Sequence, residues 1–239
     1  MRIGAYAVIG PAVRLGPGVE VQAHAHVVGR TRVGPATRIF PFAALGGEPQ
    51  DKSFEGGSTE LVIGADNVIR EHVTISVGTP RGGGSTRLGD DNLIMNTVHI
   101  GHDVQIGDHC IIASFVGIAG HAEIQDYAVI GGFCGIHQHA RVGESVMVAA
   151  LSGVSLDAAP FSLVAGERAT LRGVNVVGLR RRGFSSEVRL EIKRAYHLLF
   201  HAKLRLDEAL AKAHEEGFRS AEVARLLSFV ESSARGVSR

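Results

Sequence analysis

The chain has 239 residues, which is long enough for one large domain or a main body with a small appendage. Its residues are 45% hydrophobic but only 5% aromatic, with 31 glycines and no tryptophan, which predicts a core of small aliphatic side chains. No run of about 18 apolar residues is present, so we expect no transmembrane helix. The N-terminus lacks a signal-peptide pattern, and two cysteines are too few for a disulfide framework. We therefore expect a cytoplasmic protein without membrane insertion.

The formal net charge of +1 conceals two regions of opposite sign. Residues 165–239 contain 15 Lys and Arg against 9 Asp and Glu, a net charge of +6, whereas the residues before them carry a net charge of −5. A basic C-terminal region indicates an anionic partner, although a solvated helical surface explains the same charges equally well. We expect no nucleic-acid partner.

An aliphatic residue recurs at every sixth position along most of the chain. The series consists of Ile3, Ile9, Leu15, Val21, Val27, Val33, Ile39 and Leu45, then Ile63, Ile69 and Ile75, then Leu88 and every sixth residue to Val154. Neither an α-helix nor an alternating strand has this period. A parallel β-helix has it, with three short sides and 18 residues in each coil. Cys110 and Cys134 occupy small-residue positions of the hexads, which predicts that they fill the core.

Two interruptions of the period predict loops that leave the coils, at 46–62 and 76–87. Such loops often carry binding residues on one face of a solenoid. After Val154 the period ends, and residues 185–202 have helical spacing, with Ser185 or Ser186 as a candidate N-cap. We therefore predict a β-helix over 1–160, a connecting segment over 161–184 and a small α-helical domain over 185–239.

The coil length brings several histidines together. Hexads that begin at residues 100, 118 and 136 lie above one another, about 4.8 Å apart as neighbouring parallel strands. His102, His121 and His137 therefore lie on one side of three consecutive coils, within roughly 10 Å. Asp103 can orient His102 if the pair sits at a corner, and Gly120 offers a backbone N–H without a side chain.

This cluster has three candidate functions. A base, an orienting carboxylate and an oxyanion donor together indicate direct acyl transfer from a thioester to a hydroxyl group. Three converging histidines can also bind Zn²⁺, as in hexapeptide proteins that resemble carbonic anhydrase. A structural or ice-binding β-helix is disfavoured because the polar faces are irregular and interrupted by two loops.

Several longer motifs connect this chain with one known family. They are PQD (49–51), NVIREHVTI (67–75), GGG (82–84), DNLIMNTVHIGHD (91–103), AGH (119–121), GIHQ (135–138) and GVNVVGLRRRGFS (173–185). On these motifs the chain resembles the UDP-N-acetylglucosamine O-acyltransferase family of lipid A biosynthesis. The resemblance implies an all-β left-handed parallel β-helix with a small α-helical C-terminal domain, assembled as a homotrimer with sites in clefts between subunits. Because no further domain precedes the first coil, we expect this family rather than the related N-acyltransferase of the same pathway.

The resemblance also implies the site. His102 would be the general base for the sugar 3-hydroxyl, Asp103 its orienter and Gly120 the oxyanion donor. Further residues would bind the substrates: Asp51, His99, His121, His137 and Gln138 for the sugar and acyl donor, and Asn175, Arg181 and Arg182 for the nucleotide. The donor would be a 3-hydroxyacyl chain on acyl carrier protein, an acidic partner, and no cofactor or metal is expected.

Three positions bear on specificity. Ser76 stands where the family often has a site histidine, and Val177 where it often has a glutamate. These departures leave open an acceptor with a 3-amino group. Ala150 aligns with a position that limits acyl-chain length, where glycine accompanies longer chains, so alanine predicts a somewhat shorter chain.

Overall fold

Short parallel strands wind around a common axis and form three sheets. The computed structural model describes residues 1–239. The ten strands of sheet A, in spatial order, are β1 (Arg2–Ile3), β4 (Glu20–Val21), β7 (Arg38–Ile39), β10 (Val68–Ile69), β13 (Leu93–Ile94), β16 (Ile111–Ile112), β19 (Val129–Ile130), β22 (Met147–Val148), β24 (Ser162–Ala165) and β25 (Thr170–Val174). All neighbours in this sheet are parallel except β24 and β25.

The other two sheets alternate with sheet A along the chain. Sheet B contains β2 (Val8–Ile9), β5 (His26–Val27), β8 (Ala44–Gly47), β11 (Thr74–Ser76), β14 (His99–Ile100), β17 (Gly117–Ile118), β20 (Gly135–Ile136) and β23 (Gly153–Val154). Sheet C contains β3 (Arg14–Leu15), β6 (Thr31–Val33), β9 (Glu60–Ile63), β12 (Ser85–Leu88), β15 (Gln105–Ile106), β18 (Glu123–Ile124) and β21 (Arg141–Val142). Consecutive strands thus occupy three sides of a prism, which is a parallel β-helix.

The strand register confirms the coil length deduced from the hexads. Ile3 pairs with Val21, and Ile94 with Ile112, so equivalent residues lie 18 positions apart. From Val21 onward the hexad aliphatic residues are buried, and together with the small residues beside them they form a single hydrophobic core from Val19 to Ala169. Cys110 and Cys134 are buried members of this core, as predicted.

The corners have a constrained backbone. Most coil corners place one non-glycine residue in the left-handed region, including Asp103, His121 and His139 at φ of 60–61°. This conformation costs about 1–2 kcal/mol for an L-residue. It is offset in part by hydrogen bonds along the axis, since the N–H of His121 donates to the carbonyl of His102 at 3.0 Å and that of His139 to Gly120 at 3.2 Å. The corner between sheets B and C therefore displays side chains in regular columns.

Two insertions leave the coils. We call residues 48–59 the first inserted loop and residues 77–84 the second inserted loop. They lengthen two coils, so that Ala44 pairs with Thr74 and Thr74 with His99 instead of residues 18 positions away. The second inserted loop contains a 3₁₀ turn, Pro80–Gly82, capped by Thr79.

A helical region follows the coils. Within 161–184 the chain forms β24, β25 and α1 (Val176–Arg181), and then α2 (Ser186–Phe200), α3 (Leu206–Glu215) and α4 (Ala221–Glu231). Ser185 is the N-cap of α2, as one of the two predicted candidates, and accepts a hydrogen bond from the N–H of Val188. These helices pack around a second core that includes Phe161 from the end of the β-helix. None of the helices is long and apolar enough to cross a membrane.

Candidate active site

The predicted histidine cluster lies at the corner between sheets B and C. His102 and Asp103 follow β14, Gly120 and His121 follow β17, and His139 follows β20 one coil further. The rings of His102 and His121 meet edge to face with centroids 5.0 Å apart, and those of His121 and His139 stack at 4.5 Å. The structure therefore brings together residues that the 18-residue period places in adjacent columns.

The side chains of His102 and Asp103 face each other at this corner. In a flat strand adjacent side chains point to opposite faces, but the left-handed backbone of Asp103 turns both side chains to the same side of the corner. Nδ1 of His102 lies 2.8 Å from Oδ2 of Asp103. A hydrogen bond to a carboxylate places the proton on Nδ1 and leaves Nε2 free to accept another.

The Asp103 carboxylate is enclosed and well supplied with donors. Its side chain is 1% exposed. The N–H of Thr79 donates to Oδ1 at 2.9 Å, and the Thr79 hydroxyl donates to Oδ2 at 2.7 Å. The N–H of Asp103 itself donates to the Thr86 hydroxyl at 2.8 Å, and Gly82 packs against the carboxylate so closely that any Cβ there would overlap it. Because a buried polar group is costly unless it is hydrogen-bonded, these donors stabilise the Asp103 side chain in this enclosed position.

A second His–Asp pair has the same separation but is much more exposed than His102–Asp103. Nδ1 of His109 lies 2.8 Å from Oδ2 of Asp91 at a different corner, the same separation as in the first pair. There the carboxylate side chain is 66% exposed. Water competes for exposed groups, so only the His102–Asp103 pair has a fixed and desolvated geometry.

Gly120 leaves room for the His102 ring. A Cβ built on Gly120 would lie 2.7 Å from both Cε1 and Nε2 of His102. The N–H of Gly120 donates to no carbonyl or side chain of this chain. A donor without an acceptor beside a base can stabilise negative charge that develops on a reacting oxygen.

Two further histidines near the pair are held neutral. Burial is the main cause that lowers the pKa of His99, and the nearby His102 lowers it further. Burial also lowers the pKa of His121, against an opposing effect of Asp103, whose Oδ2 lies 3.9 Å from Nδ1 of His121. Nδ1 of His99 is 2.8 Å from the Thr74 hydroxyl on the preceding coil.

The two inserted loops form a cavity beside the cluster. Its volume is about 300 Å³, and it is lined by Asp51 and residues 53–56 of the first inserted loop, by Thr79, Pro80 and Arg81 of the second, and by His121. Hydrogen bonds from the backbone N–H and hydroxyl of Ser53 are the main causes that lower the pKa of Asp51, with smaller contributions from His102 and Arg81. Asp51 thus carries a fixed negative charge at the wall of the cavity.

A larger open groove of about 720 Å³ lies on sheet C and contains none of the predicted site residues. Its carboxylates already have partners: Glu144 pairs with Arg225, and Asp108 and Asp126 accept backbone N–H bonds. It has no histidine. The smaller cavity is therefore the better candidate for chemistry.

His137 and Gln138 lie one coil beyond His121, at the exposed end of the cluster. Nδ1 of His137 is 3.0 Å from the Gln138 carbonyl and 3.3 Å from Nη2 of Arg235. Arg235 reaches this position because it also donates two hydrogen bonds to the Ser155 carbonyl. The C-terminal segment thus borders the predicted site, which the sequence did not indicate.

The predicted nucleotide residues are mostly committed to contacts within the chain. Asn175 caps α1 by accepting from the N–H of Gly178, and it donates to the Ser145 carbonyl. Arg182 pairs with Glu144 at 2.8 Å and lies 3.5 Å from the centroid of the Tyr127 ring. Arg181 is exposed.

The three specificity positions have different surroundings, and Ser76 follows Ile75, whose partner on the next coil is Ile100, two residues before His102. Ser76 is buried at the end of β11, and its hydroxyl lies 3.5 Å from the Glu48 carbonyl at the start of the first inserted loop. Val177 is exposed on α1. Ala150 is exposed at a corner between sheets A and B.

A zinc ion does not fit this geometry well. The candidate ligand atoms of His102, Asp103 and His121 lie within 4.8 Å of one another. However, Oδ2 of Asp103 already accepts bonds from Thr79 and His102. A metal ligated to Oδ2 at about 2.0–2.2 Å would compete with the Nδ1–H of His102 for the same oxygen. The donor set therefore favours a proton-transfer pair.

Comparison with known proteins agrees with the fold and identifies the family. A profile of the family described as UDP N-acetylglucosamine O-acyltransferase, domain 2, matches residues 157–238, and one described as bacterial transferase hexapeptide matches residues 85–120. The acyl-[acyl-carrier-protein]–UDP-N-acetylglucosamine O-acyltransferase of Syntrophobacter fumaroxidans is 46% identical over 99% of this chain and 92% of its own length. That of Azorhizobium caulinodans is 50% identical over 98% and 87%. The chain belongs to the UDP-N-acetylglucosamine O-acyltransferase family.

Solved structures of the family have the same fold. LpxA from Acinetobacter baumannii superposes with a TM-score of 0.96 at 36% identity, covering 99% of this chain and 92% of that one. The UDP-N-acetylglucosamine acyltransferase from Campylobacter jejuni gives a TM-score of 0.93 at 37% identity, covering 99% and 91%. The predicted left-handed parallel β-helix with a helical C-terminal part is confirmed, and so is the predicted acyltransferase class.

Sequence reasoning missed three residues that touch the pair: Thr79, Gly82 and Thr86. All lie in or next to the second inserted loop, where the hexad period fails. Thr79 is 24 positions from Asp103, which corresponds to no multiple of the coil length. Two features of the sequence pointed toward these residues: the GGG stretch at 82–84, and the need for an inserted loop to pack against the adjacent corner.

Proposed function

We propose that this chain transfers a 3-hydroxyacyl group from acyl carrier protein to the 3-hydroxyl of UDP-N-acetylglucosamine, the first step of lipid A biosynthesis, with His102 as general base. Family membership supports the reaction. The observation that supports the base is the 2.8 Å contact between His102 and a carboxylate that is 1% exposed.

The proposed mechanism needs no covalent intermediate with the protein. Nε2 of His102 takes the proton of the sugar 3-hydroxyl while that oxygen attacks the thioester carbonyl, and the carbonyl oxygen becomes an oxyanion. The oxyanion accepts a hydrogen bond from the free N–H of Gly120. When the carbon–sulfur bond breaks, the imidazolium returns the proton to the departing thiolate. The products are the 3-O-acyl sugar and free acyl carrier protein.

The surroundings of His102 suit this proton transfer. The buried Asp103 carboxylate stabilises the imidazolium and fixes the tautomer. The lowered pKa values of His99 and His121 keep both rings neutral at pH 7, so that they place no competing positive charge beside the reacting imidazole. We assign the cavity beside His121, with Asp51, to the acceptor sugar, and His137 and Gln138 to the adjoining substrate surface.

We further propose a homotrimer with the site at a subunit interface. Exposed aromatic rings stack along the corner between sheets A and B, and Phe115 and Phe133 lie with centroids 4.8 Å apart. On the neighbouring sheet B, a Cβ added at Gly117 or Gly135 would meet nothing within 4 Å, so this face can approach another chain closely. An apolar ladder beside a smooth face is typical of a subunit interface.

The interface can be tested through Phe133, which is 62% exposed in the single chain. Phe133→Glu should leave the subunit folded and convert the trimer to monomer in sedimentation analysis. The matched control is Leu190→Glu on α2, at an equally exposed leucine away from this face. A trimer that survives Phe133→Glu would refute the interface.

The nucleotide and carrier-protein contacts are assigned as follows. Because Asn175 and Arg182 have partners in their own chain, the exposed Arg181 is the residue that we assign to direct contact with a nucleotide phosphate on a neighbouring subunit's site. We assign acyl carrier protein, which is acidic, to the basic C-terminal region with its net charge of +6.

The decisive experiment measures transfer from 3-hydroxyacyl carrier proteins of several chain lengths to UDP-N-acetylglucosamine and, separately, to its 3-amino analogue. His102→Ala should lower turnover by about 10²–10⁴-fold. His109→Ala is the matched control, because it removes a histidine with the same distance to an aspartate at an exposed corner. An active His102→Ala would refute the base, and transfer to the amino sugar alone would change the acceptor.

A further inference from the structure

We infer that Thr79 is a positioning residue for the reaction, because it holds the carboxylate that orients His102. This inference rests on the proposed function and deepens it. Thr79 lies in the second inserted loop, outside the repeats that carry the other site residues.

Thr79 supplies two donors to one buried side chain. Its N–H lies 2.9 Å from Oδ1 and 3.1 Å from Oδ2 of Asp103, and its hydroxyl lies 2.7 Å from Oδ2. Oδ2 is also the oxygen that faces Nδ1 of His102. The threonine hydroxyl and the imidazole therefore converge on the same oxygen atom, and Thr79 is itself buried.

The direction of the threonine hydroxyl is fixed by its other bond. Oγ1 accepts from the N–H of Gly82 at 3.1 Å, at the end of the 3₁₀ turn. With one lone pair engaged, the hydroxyl proton points to Asp103. Gly82 adds a steric wall, since a Cβ there would lie 2.2 Å from the carboxylate carbon. The Asp103 carboxylate therefore has a single orientation, because the donors of Thr79 lie on one side of it and the backbone of Gly82 on the other.

Loss of the Thr79 hydroxyl affects Asp103 strongly because this carboxylate is shielded from water. An enclosed carboxylate that loses a hydroxyl donor carries more negative charge on Oδ2 and binds the Nδ1–H of His102 more strongly. The imidazolium then holds its proton to higher pH, and the carboxylate can also rotate. Both effects reduce the fraction of enzyme with a free, correctly placed Nε2, so we expect kcat to fall and KM for the acceptor to stay nearly constant.

The test compares three threonine variants with His102→Ala. Thr79→Val removes the hydroxyl and keeps the backbone N–H and the side-chain shape, whereas Thr79→Ser restores the hydroxyl. The matched control is Thr37→Val, because Thr37 is equally buried, donates to the Gly64 carbonyl and accepts from the N–H of Asn67 far from the site. Steady-state kcat, KM for UDP-N-acetylglucosamine and the pH profile of kcat are measured for each variant.

Each of the three threonine variants has a different expected result. Thr79→Val lowers kcat by about tenfold to a hundredfold, a part of the 10²–10⁴ that a positioned base contributes, and moves the acidic limb of its pH profile to higher pH. Thr79→Ser stays within about threefold of wild type, and Thr37→Val loses stability without either kinetic change.

Two results would overturn the inference. One is a Thr79→Val enzyme with kcat and pH profile like those of Thr37→Val, and the other is a Thr79→Ser enzyme as impaired as Thr79→Val. Failure of the proposed function looks different, because His102→Ala would then retain its turnover. If Thr79→Val raises KM alone, the loop serves only to shape the sugar cavity, and the positioning role is refuted.

Discussion

The imidazole of His102 lies over the α-carbon of Gly120, so that a methyl group at position 120 would be 2.7 Å from two atoms of the ring. This spacing is well inside van der Waals contact. We predict that Gly120→Ala displaces His102 from Asp103 and lowers kcat by about a hundredfold or more, through loss of the oriented base. Steady-state kinetics on the purified variant measure this effect.

A double-mutant cycle provides the control for this overlap. In the His102→Ala background the space beside position 120 is empty, so Gly120→Ala should no longer destabilise the protein. Urea unfolding of the four species gives the coupling free energy. Equal destabilisation by Gly120→Ala in both backgrounds would show that the methyl group collides with something other than the ring.

The lowered pKa values of His99 and His121 predict a pH-dependent stability. In the unfolded chain both rings titrate near 6.5, whereas in the folded protein they bind protons only at lower pH. The unfolded state therefore binds more protons as the pH falls through 6.5, and the folding stability present above that pH decreases. The free energy of unfolding, measured in urea between pH 7.5 and 5.5, should fall more steeply in wild type than in His99→Gln/His121→Gln. His201→Gln, at an exposed histidine, is the control, and parallel curves for all three proteins would contradict the assignment.

The two thiols should be inert in the native protein. Burial raises the pKa of Cys110 to about 12 and raises the pKa of Cys134 as well. At pH 8 the thiolate fraction of Cys110 is then on the order of 10⁻⁴, and only the thiolate reacts. A disulfide reagent at pH 8 should label neither cysteine in native buffer and both in urea. An added thiol in the exposed Ser186→Cys variant should react at once, and rapid labelling of the native wild type would contradict this prediction.

Asp157 joins the helical region to the end of the β-helix. Its side chain is 1% exposed and accepts from Nε of Arg141 at 2.9 Å and from the Ser233 hydroxyl at 2.8 Å. Asp157→Ala leaves the guanidinium without its counter-charge, so we expect a destabilisation of up to about 3–5 kcal/mol in urea unfolding. Asp207→Ala removes an exposed partner of Arg205 and should change stability by less than about 1 kcal/mol. Equal effects of the two substitutions would show that burial does not strengthen this pair.

The repeat made most of the architecture predictable. A period of six fixes which side chains enter the core, and a coil of 18 fixes which corners lie above one another, so the contact of His102 with His121 could be derived by counting. The orienting contact of Asp103 needed one further fact, the left-handed backbone at the corner, which adjacent positions in the sequence do not reveal.

The inserted loops and the helical region were not predictable in the same way. Nothing in a broken period specifies that Thr79 reaches Asp103, because loop conformation depends on the whole surface against which the loop packs. Likewise, the resemblance implied a nucleotide contact for Arg182, but no local pattern indicated that Glu144 and Tyr127, two residues distant in sequence, also contact its guanidinium. Long-range partners of charged side chains follow from tertiary structure rather than from local pattern.

Ala150 provides the test of chain-length selection. It occupies an exposed first corner position between sheets A and B, next to Leu151, which is 71% exposed beside the aromatic ladder. Removing its methyl group should lengthen the apolar surface open to an acyl chain, and each further buried CH₂ contributes about 0.8 kcal/mol. We therefore expect Ala150→Gly to shift kcat/KM toward a donor two methylenes longer by on the order of tenfold, in competition assays with mixed 3-hydroxyacyl carrier proteins. Ala5→Gly, at the equivalent corner of the first coil, is the matched control. An unchanged length profile in Ala150→Gly would show that the chain end is limited elsewhere.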